Sequence, residues 1–145
     1  MVVTIYTDGS CIQKEKVGGW AYILYNAQER SLRVGYAGEE NTTNNRMELS
    51  AVIKSLEMCA GGNEIVVYTD SQWVKNGAEG TNKRKKNLDL WNTYDRVSKD
   101  KVVKFVWVKA HAGNKLNELV DKLAYSESIK KLERIPVSKK ENKIL

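Results

Sequence analysis

The chain has 145 residues, with Lys plus Arg at 24 against Asp plus Glu at 18, a net charge of +6 with its one histidine neutral. That length suits one domain, and 41% hydrophobic residues with 10 Gly and one Pro exclude a disordered or collagen-like chain. No apolar run approaches the roughly 20 residues of a membrane helix. The amino terminus has no basic stretch and meets Asp8 early, unlike a secretory leader. Cys11 and Cys59 belong to no CxxC pair and make no disulfide framework, so a reducing, cytoplasmic setting is expected. The basic balance points to a polyanionic partner.

Val2 to Thr7 is rich in β-branched and aromatic residues and reads as a buried strand. Gly18-Gly19 opens a second strand through Tyr25, and polar residues 26–30 turn into a third, Leu32 to Ala37. Leu49, Val52, Ile53, Leu56 and Ala60 then form one helical stripe, stopped by Gly61-Gly62. Ile65 to Thr69 is a fourth strand; reached through a helix, it should lie parallel to a neighbour by a right-handed crossover. Asp70-Ser71 caps a short helix ended by Gly77. After a polar stretch holding Lys83-Arg84-Lys85-Lys86 comes a helix with Leu90, Trp91, Tyr94 and Val97. Val102 to Val108 is the fifth strand, and Leu116, Leu119, Val120, Leu123 and Ala124 mark the apolar stripe of the last helix. The organisation expected is one α/β domain with a mixed five-stranded sheet over residues 1–132, and a lysine-rich, mobile tail over 133–145.

One echo carries more than the periodicity. The first strand reads Ile5-Tyr6-Thr7-Asp8 and the fourth Val67-Tyr68-Thr69-Asp70. If those strands are parallel neighbours, two aspartates stand side by side at their carboxyl ends, the edge where open α/β sheets bind ligands. Carboxylates so placed repel each other unless one is protonated or a cation neutralises them. Oxygen-only ligands suit Mg²⁺ or Mn²⁺ rather than Zn²⁺. Each acid also has an ordinary reading: Asp8 as a turn residue before Gly9, Asp70 as a helix cap, Glu48 as the closing residue of a capping box, Asp121 as a boundary charge.

Five blocks, in order, then identify a family: Thr7-Asp8-Gly9-Ser10, Thr42-Thr43-Asn44-Asn45-Arg46-Met47-Glu48-Leu49, Thr69-Asp70-Ser71-Gln72, Trp107 to Asn114 around His111, and Asn117 to Ala124 around Asp121. Together they resemble type 1 ribonuclease H, the bacterial-type enzyme that cuts RNA in RNA–DNA hybrids. The resemblance covers about Val2 to Ser126. It implies the ribonuclease H-like fold, with strands 1–3 antiparallel and strands 4 and 5 parallel to strand 1. It also implies Asp8, Glu48, Asp70 and Asp121 as the catalytic carboxylates, holding two Mg²⁺ ions once substrate is bound, with Mn²⁺ as a substitute. The family's products are 5′-phosphate and 3′-hydroxyl ends. His111 matches a residue that moves protons or helps release product, and Glu118 a supporting neighbour of Asp121. Asn44, Asn45 and Gln72, with Thr43 and the Cys11 region, match residues that contact the hybrid, where amides read the 2′-hydroxyl. Trp73 packs beneath the DNA strand or sits in the core. A monomer with no obligate protein partner and no membrane association is expected.

Two stretches depart from the family pattern. Lys14 stands near the place of an asparagine that holds nucleic acid in many members, so a charge contact to phosphate would replace an amide hydrogen bond. Only residues 77–86 stand where some members carry a basic, tryptophan-rich handle. The stretch resembles a handle-less form, with Lys83-Arg84-Lys85-Lys86 as the basic element expected to touch phosphate weakly.

Overall fold

The computed structural model describes residues 2–136, and the lysine-rich tail from residue 137 on lies outside them. In chain order the elements are β1 (Val2–Ile12), β2 (Val17–Asn26), β3 (Ser31–Glu39), α1 (Asn44–Glu57), β4 (Glu64–Thr69), α2 (Gln72–Glu79), α3 (Leu88–Ser98), β5 (Val102–Trp107) and α4 (Lys115–Glu133). The strands form one sheet in the order β3-β2-β1-β4-β5. β1, β2 and β3 pair antiparallel, while β4 runs parallel to both β1 and β5, giving the mixed sheet expected.

Alternation along the strands assigns the two faces. Tyr22 and Leu24 join Ile5, Ile65 and Val67 in a cluster with Leu49, Val52, Ile53 and Leu56 of α1, Val74 of α2, and Trp91 and Tyr94 of α3. The intervening Ala21 and Ile23 pack instead against Val120 and Ala124 of α4. Three helices thus cover one face and α4 the other. Leu49, Leu56, Ile5 and Ile65 are fully buried, each stabilising the fold by about 1.5–3 kcal/mol.

Three boundaries and one buried helix face differ from the sequence expectation, each for a local reason. β1 does not stop at Thr7: Asp8, Gly9 and Ser10 keep pairing with Ala21, Trp20 and Gly19, so Asp8 is a strand residue and not a turn. α1 ends at Glu57 under a Met58 cap, leaving Ala60 outside the helix and exposed, ahead of Gly62 at φ 83°. α2 runs through Gly77 to Glu79 and ends on the left-handed Gly80. Gly77 is small because a Cβ there would lie 2.4 Å from the Trp91 ring. On α4 the buried residues are Asn117, Val120, Ala124 and Ser128, while Leu116 and Leu119 are 39% and 44% exposed. The helix seats that small-residue face on Gly19, where a Cβ would lie 2.2 Å from the Ala124 carbonyl oxygen.

Candidate active site

The parallel pairing of β1 with β4 ends at Tyr6 opposite Tyr68, whose rings stack at 4.7 Å and 11°. Beyond that plate Asp8 continues along β1 beside β2, while Asp70 follows the last residue of β4. Glu48 comes from the second turn of α1. That helix starts where Thr43 Oγ1 accepts from the Arg46 amide at 3.2 Å. One carboxylate oxygen each from Asp8, Glu48 and Asp70 lie within 4.8 Å of one another. Asp121, on α4, is close enough for its charge to act on both aspartates. His111 sits in an exposed loop at φ 55°, its Nδ1 3.9 Å from Asp121 Oδ2.

So much acid in a buried place changes its protonation. Burial pushes the Asp8 carboxyl up to about 8; the charges of Asp70 and Asp121 add to this, against a hydrogen bond from Glu48. Glu48 is driven well above the ordinary carboxylate range by burial and then by the Asp8 charge, so it keeps the proton and donates to Asp8. Asp70 is raised by burial and then by Asp121. The Gly9 amide donates to Asp8 Oδ1 at 2.9 Å, the one main-chain donor aimed at that oxygen among the described residues. Glu48 Oε2 is buried and has no hydrogen-bond partner among the described residues. A carboxylate trio with Asp8 and Glu48 buried and Asp70 half-buried, carrying one orphaned oxygen and offering oxygen donors only, fits a hard divalent cation.

The expected substrate-contacting residues fall into three places. Cys11, Thr43, Asn44 and Asn45 line one cavity of about 430 Å³ with Gln13, Lys16 and Thr42. Gln72, the first residue of α2, is exposed beyond Asp70 and outside that cavity. Lys14 is exposed in the β1–β2 turn and does not line it. Lys16 does, held at φ 55° with its carbonyl accepting from the Thr42 amide at 3.0 Å. No sequence signal marks Lys16, because a lysine in left-handed backbone lacks the glycine that would announce it.

The basic run is not uniform. Arg84 lies 4.3 Å over the Trp91 ring, donates to the Gly77 carbonyl at 2.9 Å and pairs with both oxygens of Asp95 at 2.7–2.8 Å. It anchors the loop, and Lys83, Lys85 and Lys86 remain exposed beside a cavity that Trp73 also lines. Trp73 itself is half-buried and packs against Trp91 at 5.4 Å. Arg46, unremarked in the sequence beyond its block, ties the start of α1 to α3 by paired bonds to Asp89 at 2.8 and 3.0 Å and one to Asn87 at 3.2 Å.

Residues 1–129 match the profile of the RNase H family. A ribonuclease H of Campylobacter jejuni is 43% identical over 137 residues, spanning 88% of this chain and 92% of its own. One from Wolbachia pipientis wMel is 42% identical over 136 residues, spanning 84% and 92%. Among solved structures, LC9-RNase H1, described as a type 1 RNase H with the type 2 active-site motif, superposes with a TM-score of 0.75 at 28% identity, over 89% of this chain and 72% of that one. The N-terminal RNase H domain of rv2228c from Mycobacterium tuberculosis shares the fold, with a TM-score of 0.78 at 21% identity over 91% and 96%. With the profile matched over nearly all the described residues, and with relatives this similar along almost their whole length, the chain belongs to the ribonuclease H family and is of its type 1 form.

Proposed function

We propose that this enzyme hydrolyses the RNA strand of RNA–DNA hybrids in a divalent-metal-dependent reaction that leaves 5′-phosphate and 3′-hydroxyl ends. The observation that carries the reading is the cluster of buried Asp8 and Glu48 with half-buried Asp70, and with Asp121 beside it. Those four acids would hold two Mg²⁺ ions, with Mn²⁺ as a substitute. When bound, such ions supply Lewis acidity to the scissile phosphate and ease deprotonation of the attacking water. Asp8 and Glu48 fix the deep side of the site, because neither has room to swing. Asp70 and Asp121, more open, face the solvent from which a phosphodiester arrives. His111, exposed on its loop beside Asp121, assists by moving a proton or by helping the product leave, without binding metal.

Recognition of the RNA strand rests on the cavity beside α1. Asn44 and Asn45 offer side-chain amides that both donate to and accept from a 2′-hydroxyl, which DNA lacks. Cys11, Thr43 and Gln72 complete the contact, and Lys14 adds charge from the turn above. Lys83, Lys85 and Lys86 approach backbone phosphate from the α2–α3 loop. The enzyme works as a monomer in the cytoplasm, in keeping with its two free cysteines. No helix among the described residues is long and apolar enough to cross a membrane.

The test uses one 5′-labelled RNA, alone, annealed to RNA and annealed to DNA, incubated with Mg²⁺ or EDTA, with the wild type and Asp8→Asn. Internal cuts confined to the hybrid, and lost in both controls, are expected. Cutting of every duplex would discard the specificity; retention of the hybrid without cutting would leave a binding module.

A further inference from the structure

The exit of β5 is fastened to the exit of β4 by two hydrogen bonds. The Val108 amide donates to the Thr69 carbonyl at 2.9 Å, extending the ladder past Thr69 opposite Trp107. The Trp107 indole Nε1–H then donates to the Asp70 carbonyl at 3.1 Å. The next links run along the chain: Thr69 Oγ1 accepts from the Ser71 amide, and Ser71 Oγ from the Val74 amide, both at 3.1 Å. The main chain around Asp70 is therefore held from behind by β4, from ahead by α2, and from the side by Trp107.

Trp107 is placed unlike the other tryptophans. Trp20 stacks on Tyr22, and Trp73 and Trp91 pack on each other, whereas no aromatic ring pairs with Trp107 among the described residues. It is 42% exposed on an edge strand. Core packing does not account for so large a ring there. Its polar atom has one role, the bond to the carbonyl of an acid in the carboxylate cluster. It also stands at the root of the loop that carries His111, where His111 and Gly113 both take left-handed backbone.

We infer that Trp107 is a positioning residue: its indole N–H, by holding the Asp70 carbonyl, sets the reach of the Asp70 carboxylate toward Asp8 and Glu48 and fixes where the His111 loop begins. This rests on the metal-dependent reading of the site. The bond acts on the main chain and leaves the carboxylate oxygens free, as a device for pre-organising a ligand requires.

The experiment compares the full chain with Trp107→Phe, which keeps a ring and loses the donor, and Trp107→His, which restores an N–H. In the wild type, the Trp107 indole proton should exchange about tenfold more slowly than a free indole proton. It should also shift when Mg²⁺ is added without nucleic acid. Trp107→Phe should weaken the Mg²⁺ midpoint, followed by the Gly9 and Ser71 amide signals, roughly fivefold, the share one neutral hydrogen bond carries. It should lower kcat with little change in KM for the hybrid and keep the melting temperature within about 3 °C. Trp107→His should recover part of the midpoint. An unprotected indole, an unchanged midpoint in the Phe variant, or a His variant no better than Phe overturns the inference. A wild type whose signals ignore Mg²⁺ overturns the metal reading beneath it instead, so the two failures are distinct.

Discussion

Gly9 lies against Glu48 with no room for a side chain: a Cβ on Gly9 would stand 2.3 Å from the Glu48 amide nitrogen and 2.4 Å from the Met47 carbonyl carbon. α1 thus meets β1 backbone to backbone beside the residue pair, Asp8 and Glu48, whose carboxyls share a hydrogen bond. Gly9→Ala should push the helix outward, costing about 2–3 kcal/mol of stability and separating the two acids. Urea unfolding measures the first effect, and a lost response of the site to Mg²⁺ the second. A variant as stable as wild type would contradict the close approach.

The raised carboxyl of Asp8 makes metal-free stability depend on pH in an unusual direction. The folded chain keeps a proton, up to about pH 8, that the unfolded chain releases near 3.8. Between those values the native state binds more protons, so its stability falls as pH rises, the reverse of a salt-bridged aspartate. In EDTA, wild type should lose stability from pH 5 to pH 8, whereas Asp8→Asn should be flatter and more stable at pH 8 by at least about 2 kcal/mol. Adding Mg²⁺ at pH 8 should restore the wild type alone. Thermal melts at the two pH values decide it; a wild type that gains stability toward pH 8 in EDTA contradicts the burial argument.

The α2–α3 loop separates charge from structure. Replacing Lys83, Lys85 and Lys86 together by alanine should flatten the salt dependence of hybrid binding by roughly 0.9 for each phosphate no longer neutralised and leave the melting temperature nearly unchanged. Arg84→Ala should do the opposite, costing about 1–2 kcal/mol by stripping the guanidinium from Trp91. Binding isotherms at several salt concentrations, beside melts, separate the two. An unchanged slope in the triple variant removes the role in phosphate binding.

Two lysines of the β1–β2 turn should also differ. Lys16 lines the cavity with Asn44 and Asn45, and Lys14 does not. Lys16→Ala should raise KM for the hybrid roughly 3–10-fold, about 1 kcal/mol, against a smaller change for Lys14→Ala. Equal effects would mean that the turn moves when nucleic acid binds.

Much of this arrangement is legible in the sequence. The repeated Tyr-Thr-Asp leads to the expectation that Asp8 and Asp70 meet, and the register of Tyr6 with Tyr68 brings them together. The strand order follows from short links between β1, β2 and β3 and a helix before β4. What escapes is set by neighbours distant in sequence. Asp8-Gly9-Ser10 has turn composition, yet pairing with β2 keeps it extended. Gly77 reads as a helix end, yet the Trp91 ring requires a glycine inside the helix. Leu116 and Leu119 read as the buried side of α4, but the glycine at 19 selects a face of small residues instead. Arg84 reads as one of four equivalent charges, and only the placement of Trp91 and Asp95 separates it from the lysines. Periodicity sees apolar faces; it does not see which glycine a helix will rest on.

The order in which the acids occur along the chain has a consequence for synthesis. Every strand of the sheet is complete by Trp107, and Asp8, Glu48 and Asp70 have all been made by then. Asp121 belongs to α4, the last helix described, which must dock on β1, β2 and β3 to deliver it. A nascent chain that has emerged only through β5 carries a three-acid pocket with one wall open. Making the 19 residues of α4 takes roughly one to four seconds at the usual rate of translation. Through that interval the growing domain lacks the Asp121 carboxylate, so on the role proposed for that acid the four-acid site is completed only by the final helix.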